Sequence, residues 1–566
     1  MSDAEIRAKL QRFTEGTWTG SRRLQGVQGS ALAYLFSLVA EASRRPMIIV
    51  APSAREAENT YNDLRLFLTG EHSLSPFGRR LHLFPSWEAL PFENLSPPAD
   101  DLAARLEGLY KLVEEPAPIL VSSPAALMQK VIPKETLKQS YVYLVAGQEL
   151  SREMLIQHLV EWGFQNVPLV EDRGDFSLRG GILDVYSPGY RRPVRLEFDG
   201  DRIDTIREFS PSSQRSERSL EEFLLLPIKE FSLRRSGMEE VLRKIDDRAR
   251  DLGIEWREKN RILDSLREGI PFAGIEFLLP YFYAELVPIF SYFSADTLIC
   301  LQGADRVEAE AERFAQIAWD RNEKAKAEPR LVPCVESLYL SEHEWSEALA
   351  PYSILQAESL AIMAASERAQ QTTLTIETFL TSDLRPAATH SNAETSLAPV
   401  AERVKSWRDE RVFFVAPTRN DAVRLRELLA AYQIDLPVLN QPLPAVLTNS
   451  ELRRGVLPGH LSQGFRIPEA HLVVISFEEI FGTRKRQPPP AKSHPSHFLT
   501  SLSELKQDDY VVHLDHGIGI YRGLKFLKVA DVEGEFLHLE YEGGDRLYLP
   551  VLNQPLPAVL TNSELR

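Results

Sequence analysis

The run Met47-Ile48-Ile49-Val50 contains no polar side chain, and this restricts the fold of the first quarter of the chain. A strand that is apolar on both faces needs cover on both faces, as in a parallel sheet flanked by helices. Ala51-Pro52-Ser53 follows and leads into a helix from Arg55. Leu81-His82-Leu83-Phe84 and Ile119-Leu120-Val121 read as further strands. Between them, Pro98 and Asp100 open a helix whose Leu102, Leu106, Leu109 and Val113 share one face. Residues 1–130 therefore predict the first part of a doubly wound α/β domain.

Such a domain invites a search for a phosphate-binding loop. A working loop needs Gly, four residues, Gly-Lys and Ser/Thr, because the lysine meets the β/γ-phosphates and the hydroxyl holds Mg²⁺. The segment Gly26-Val27-Gln28-Gly29-Ser30-Ala31-Leu32-Ala33 keeps the first glycine, but Ala31, Leu32 and Ala33 stand at the other required positions. On pattern alone it is a glycine-rich turn before a helix. No catalytic triad, HExxH or GxSxG site is present, so hydrolase chemistry finds no support.

From 131 to 215 the pattern changes. Met154, Leu155, Leu159 and Trp162 mark a helix closed by Gly163, and four short strands follow within 174–179, 181–186, 194–198 and 203–206. Residues 216–330 hold a long charged helical stretch over Met238–Leu266, then the strand Thr297–Cys300 and a helix from Arg306; they are expected to complete the first α/β domain. Residues 331–485 form a second α/β unit. Its strand Val412–Ala416, followed by Pro417 and a helix, echoes the arrangement at 47–55, which two ordinary crossovers explain equally well. Arg484-Lys485-Arg486 reads as a solvated linker start, and 486–500, with three consecutive prolines, reads as a semi-rigid linker.

The last segment, Tyr510–Pro550, consists of β-branched and aromatic runs separated by turns at Asp515–Gly519, Gly534 and Glu542–Asp545. It predicts a small β-barrel at 501–551, with sheet edges open to a partner strand. On pattern alone such a barrel need only pack on its neighbours. His494, His497, His513 and His516 form two pairs with metal-like spacing. Two of them lie in the linker with no cysteine nearby, so no metal site is assigned.

At 566 residues the chain is expected to hold roughly three to five domains. A net charge of −16 argues against a broad basic nucleic-acid surface and favours protein partners. The only cysteines, Cys300 and Cys334, fit a reducing cytoplasm. The most apolar stretch, Phe277–Phe290, is interrupted by Pro280, Glu285 and Pro288 and is too short to span a bilayer, so no membrane role is expected.

Several stretches carry a family resemblance. Leu505–His513, His516–Tyr521 and Arg546–Val551 resemble the RNA polymerase-interacting domain of the transcription-repair coupling factor (Mfd) family, a module related to CarD-type regulators. Pro85–Pro97, Gly274–Tyr283, Gly459–Phe465 and Glu478–Gly482 are similar to the same family. Arg173-Gly174-Asp175-Phe176-Ser177-Leu178-Arg179-Gly180-Gly181-Ile182-Leu183-Asp184 resembles the UvrB domain that docks on UvrA. The loop Gly26–Ala33 looks like the UvrB P-loop stripped of its lysine and hydroxyl.

The resemblance implies a degenerate P-loop, RecA-like α/β domain with an inserted β-rich UvrA-docking domain, a second α/β domain, and an SH3/Tudor-like barrel. It implies UvrA contacts at Asn166, Arg173, Phe176 and Arg179. UvrB-like sequences carry further arginines where this chain has Gln165 and Ser177. It also implies pairing of the strand Gly523–Lys528 with the RNA polymerase β subunit, through Leu524, Lys525, Phe526, Leu527 and Lys528 with Leu527 as anchor. The interval between Trp87 and Pro98 leaves no room for the DNA-clamping hairpin of UvrB. No cofactor is expected in this chain. In the family, ATP, Mg²⁺ and most DNA contact belong to a translocase that would follow the barrel.

Leu549–Arg566 repeats Leu436–Arg453 identically. Structural repeats diverge and recur with a period, so 552–566 is expected to be a non-native tail. The expectation is a cytoplasmic, non-enzymatic recruitment half of a transcription-coupled excision-repair factor. The alternatives are a UvrB-like helicase subunit, which should bind ATP at 26–33, and a CarD-like regulator, which should lack the Arg173–Asp184 motif.

Overall fold

The structure is a computed structural model. It describes residues 3–68, 80–87, 93, 95–233, 237–328, 330–360, 372–384, 397–449, 451–482, 510–513, 517–529, 532–541 and 546–550. The linker 486–500, the basic cluster 484–486, His494, His497, His516 and the tail 552–566 lie outside these residues, as do most positions between Trp87 and Leu95. The chain divides into two compact units, Met1–Gly482 and Thr483–Arg566.

The first unit is built on a seven-stranded sheet in the order Thr373–Thr375, Ser21–Gln25, Ser353–Glu358, Leu298–Gln302, Met47–Val50, Ile119–Ser122, Leu81–Phe84. Every pairing in it is parallel. The all-apolar strand behaves as its composition demands. Ile48 and Val50 enter one core, while Met47 and Ile49 enter another on the opposite face. The helices Ala54–Phe67 and Ala99–Glu114 form where expected; Leu102, Leu106 and Leu109 are buried. Trp87 is buried against Phe277, with ring centroids 5.5 Å apart.

Three expectations need correction. The first sheet does not end at residue 330, because Ser353–Glu358 and Thr373–Thr375 are two of its strands. The strand Ser353–Glu358 has a weak sequence signature, because Ser353 and Ala357 are small and two of its other residues, Gln356 and Glu358, are polar. The inserted β domain does not end at 215 either. Ser216–Leu220 extends its sheet, and Glu222–Leu225 pairs antiparallel with Val142–Val145. The charged stretch from Met238 is two helices, Met238–Asp251 and Trp256–Glu268, parted at Gly253 with φ 65°.

The inserted domain is a six-stranded sheet in the order Ser216–Leu220, Arg202–Phe209, Val194–Asp199, Ile182–Val185, Asp175–Arg179, Gln165–Asn166. All of its pairings are antiparallel except the last. Its core gathers Leu155, Leu159, Phe176, Leu183, Tyr190 and Phe223 among others.

The second α/β lobe carries a five-stranded mixed sheet in the order Phe379–Leu380, Phe465–Ile467, Leu472–Ser476, Arg411–Ala416, Arg454–Pro458. Alternate residues of Arg411–Ala416 again serve two cores. Val412, Phe414 and Ala416 pack within the lobe, whereas Phe413 and Val415 join the core that also holds Met47, Ile49 and Tyr34 of the first lobe. The two lobes thus share one apolar core.

The second unit is an antiparallel meander of Tyr510–His513, Gly517–Val529, Val532–Tyr541 and Arg546–Pro550. Its long second strand has a register shift between Tyr521 and Leu524, where Gly523 adopts φ 101°. Arg522 and Glu540 form a 2.7 Å ion pair across the strands. Among the described residues no helix is long and apolar enough to cross a membrane.

Candidate partner surfaces and a degenerate nucleotide site

The Arg173–Asp184 motif folds into a hairpin of Asp175–Arg179 and Ile182–Val185 joined at Gly180-Gly181. A side chain at Gly181 would put its Cβ 2.8 Å from the Phe198 carbonyl oxygen, so close strand approach requires glycine there. Arg179 ends the first strand with half of its side chain exposed, and its Nη2 donates to Asp184 Oδ2 at 2.9 Å. Asp184 is fully buried and also accepts from Arg195 Nε at 2.7 Å and Nη2 at 2.9 Å. Hydrogen bonding to Asp184 raises the Arg195 pKa above its ordinary value. A buried carboxylate with three guanidinium donors is well compensated, and it holds Arg179 at the surface in one orientation.

The remaining motif residues divide. Asn166 lies exposed on the edge strand beside Phe176, with Gln165 exposed next to it. Arg173 is engaged internally. It donates to Asp100 Oδ1 at 2.5 Å on the helix Ala99–Glu114 and to the Tyr190 carbonyl at 3.3 Å, and it lies over the Tyr186 ring. The bond to Asp100 ties the inserted domain to the first lobe. Phe176 is only 1% exposed and belongs to the domain core. It cannot touch a partner while the domain is folded, which corrects its placement among the contact residues. Ser177 is buried too, its Oγ donating to the Pro168 carbonyl at 3.4 Å.

Leu178 was missed by sequence reasoning. It is 39% exposed beside Arg179, and Leu169 and Met154 are further exposed apolar side chains of this domain. The available signal was an apolar residue next to the surface arginine at the end of a short strand.

The expected polymerase-pairing residues, Leu524 to Lys528, all lie on the strand Gly517–Val529. Tyr510–His513 pairs with this strand only as far as Ile520, whereas Val532–Tyr541 pairs with it through Val529. Among the described residues, Leu524–Val529 therefore has a strand on one side alone. Lys525 is exposed.

The loop Gly26–Ser30 joins the strand Ser21–Gln25 to the helix Ala31–Ser43, at the carboxyl end of the parallel sheet where phosphate loops sit. Gly26 and Gly29 have φ 80° and 58°. Leu32 and Ala33, at the lysine and hydroxyl positions, are buried. A 970 Å³ cleft opens beside the loop, lined by Gln28, Ser30, Arg55, Gln302, Arg306 and Glu358 among others. Arg306 is paired with Glu56 at 2.6 Å.

A sequence model of the UvrB interaction domain matches residues 142–231, and one of the CarD-like/TRCF RID domain matches residues 505–559. The first extends past residue 215, as the strands do. Curated transcription-repair-coupling factors match nearly the whole chain. The protein of Myxococcus xanthus is 36% identical over 550 residues, covering 94% of this chain and 44% of the relative. That of Escherichia coli (strain K12) is 30% identical over 549 residues, covering 95% and 45%, and that of Bacillus subtilis (strain 168) is 27% identical over 544 residues, covering 93% and 44%. The chain spans less than half the length of these relatives. By its two domain matches and its near end-to-end similarity, the chain is a homologue of the N-terminal half of the transcription-repair-coupling factors.

Proposed function

We propose that this chain recruits repair to stalled transcription: its C-terminal unit binds RNA polymerase, and its inserted β domain binds UvrA. The observation that carries the reading is the presence, in one chain, of a UvrB interaction domain and a CarD-like/TRCF RID domain. Arg179, oriented by buried Asp184 and flanked by exposed Leu178, supplies the charged and apolar contacts a UvrA surface would take. We read the four-stranded unit as part of an SH3/Tudor-like barrel whose Leu524–Lys528 segment adds to a strand of the polymerase β subunit. Neither contact needs nucleotide, and Leu32 and Ala33 leave the loop without the groups that hold phosphate and Mg²⁺.

The test uses the chain with UvrA and with the polymerase β lobe, each immobilised separately. Arg179→Glu should weaken UvrA capture at least about tenfold and leave polymerase binding unchanged; Leu527→Arg should do the reverse. Undiminished UvrA capture by Arg179→Glu would overturn the docking assignment, and undiminished polymerase capture by Leu527→Arg the strand-pairing one.

A further inference from the structure

The degenerate loop lies at the junction of the two α/β lobes. Residues 376–378 connect the strand Thr373–Thr375 of the first sheet to Phe379–Leu380 of the second, and this connection crosses the loop. The Gln28 N–H donates to Thr378 Oγ1 at 2.7 Å, and Thr378 Oγ1 donates to the Gly26 carbonyl at 3.0 Å. The Thr378 N–H reaches the same carbonyl at 2.9 Å. A Cβ at Gly26 would stand 2.9 Å from the Ile376 carbonyl oxygen, and one at Gly29 would stand 2.7 Å from Leu380 Cδ2.

A second segment of the second lobe also meets the loop. Ser30, which precedes the helix Ala31–Ser43 without capping it through its side chain, donates its hydroxyl to Asp63 Oδ2 at 2.6 Å and accepts from the Gln463 N–H at 3.1 Å. Asp63 accepts in addition from the Ser462 hydroxyl at 2.5 Å and, on Oδ1, from the Ser462 N–H at 2.7 Å. Ser462 and Gln463 belong to the second lobe, Ser30 and Asp63 to the first. The arrangement is directional: Asp63 only accepts, and Ser30 relays a donor from one lobe to an acceptor in its own.

We propose that the degenerate loop is an internal receptor. The Gln28 N–H, a backbone donor of the kind a phosphate loop offers to nucleotide, is here taken by Thr378, and the Ser30 and Asp63 side chains beside the helix start are taken by Ser462 and Gln463; these contacts seat the second lobe on the first. The buried Asp63 carboxylate, hydrogen-bonded to the residue that starts the helix, repels a triphosphate, and Leu380 and Gln463 crowd Gly29 at the wall of the cleft. The loop keeps its two left-handed glycines because chain, not ligand, approaches them closely.

The experiment is hydrogen exchange on the full chain, with and without millimolar Mg-ATP. Thr378→Val and Ser462→Ala should each raise exchange about tenfold or more both at 26–33 and at 459–464. Thr378→Ser, which keeps the hydroxyl, should restore protection. Ser53→Ala removes a cap from another helix lining the same cleft, and should raise exchange at 54–58 alone. Mg-ATP should change nothing. Protection of 26–33 by Mg-ATP would overturn the proposal, and so would an effect of Ser462→Ala confined to 459–464.

Discussion

Asp184 and Asp63 are both buried carboxylates, and they predict opposite behaviour. Asp184 is held by two arginines, one of them largely buried. Asp184→Ala leaves Arg195 without its partner inside the sheet and should cost the inserted domain about 3 kcal/mol, at the lower end for a broken buried pair. Arg179→Ala, at a half-exposed group, should cost less than about 1 kcal/mol. Urea unfolding of the two variants separates the anchor from the residue it orients. Asp63 has hydroxyl and amide donors but, among the described residues, no cationic side chain within hydrogen-bonding distance, and burial raises its pKa above the ordinary 3.8 although the bonds from Ser30 and Ser462 and the more distant His460 pull it down. The folded chain therefore holds this proton more tightly than the unfolded chain. The stability it contributes is fully present below pH 3.8 and is lost as pH rises through the folded value. Asp63→Asn removes that dependence. Measured by urea midpoint, the variant should gain on the parent as pH is raised from 4 towards neutrality; a constant difference across that range would refute the assignment. At this scale the sequence was readable in part. The motif located Arg179, but Phe176 and Leu178 share one parity on a five-residue strand, and the strand leaves its core between them. Alternation alone assigns both to one environment, whereas Phe176 is buried and Leu178 exposed.

Among the elements, apolar runs such as Met47–Val50 and Val412–Ala416 were legible because burial on both faces leaves no other composition. The breaks were harder to read. The stretch from Met238 to Leu266 is charged and amphipathic on both sides of Gly253, so periodicity continues across a point where the backbone does not. At Gly253, with φ 65°, a Cβ would meet no atom within 4 Å, whereas at Gly181 it would meet a carbonyl oxygen at 2.8 Å. Gly253→Ala should therefore cost only the strain of left-handed backbone, about 1–2 kcal/mol. Gly181→Ala must also displace the backbone at Phe198 and should destabilise its domain by more. Thermal unfolding of the two variants, with Gly253→Asn as the milder left-handed substitution, checks the order.

The relation between the lobes is the feature of the whole molecule that sequence could least disclose. Val412–Ala416 announces cover on both faces, but nothing in its composition says that one cover belongs to a domain begun nearly 400 residues earlier. The shared core is specific: Tyr34 and Phe67 of the first lobe meet Phe465 of the second with ring centroids 6.0 Å apart. Adjacent residues of one strand make the consequence testable. Phe413 faces the shared core and Phe414 the private core of the second lobe, and both are fully buried. Phe413→Ala and Phe414→Ala remove the same volume and should each cost about 3–5 kcal/mol. Their reach should differ. Phe413→Ala opens a cavity against the first lobe and should lower hydrogen-exchange protection in the helix Ala31–Ser43 as well as in the second sheet. Phe414→Ala should loosen Ala398–Ser406 and Arg419–Ala430, which border its own core, while the helix Ala31–Ser43 keeps its protection. Equal loss at Ala31–Ser43 in the two variants would mean that the lobes unfold as one unit whichever core is opened. No loss there in Phe413→Ala would mean that the polar contacts at Ser30 and Asp63, rather than the shared apolar core, hold the lobes together.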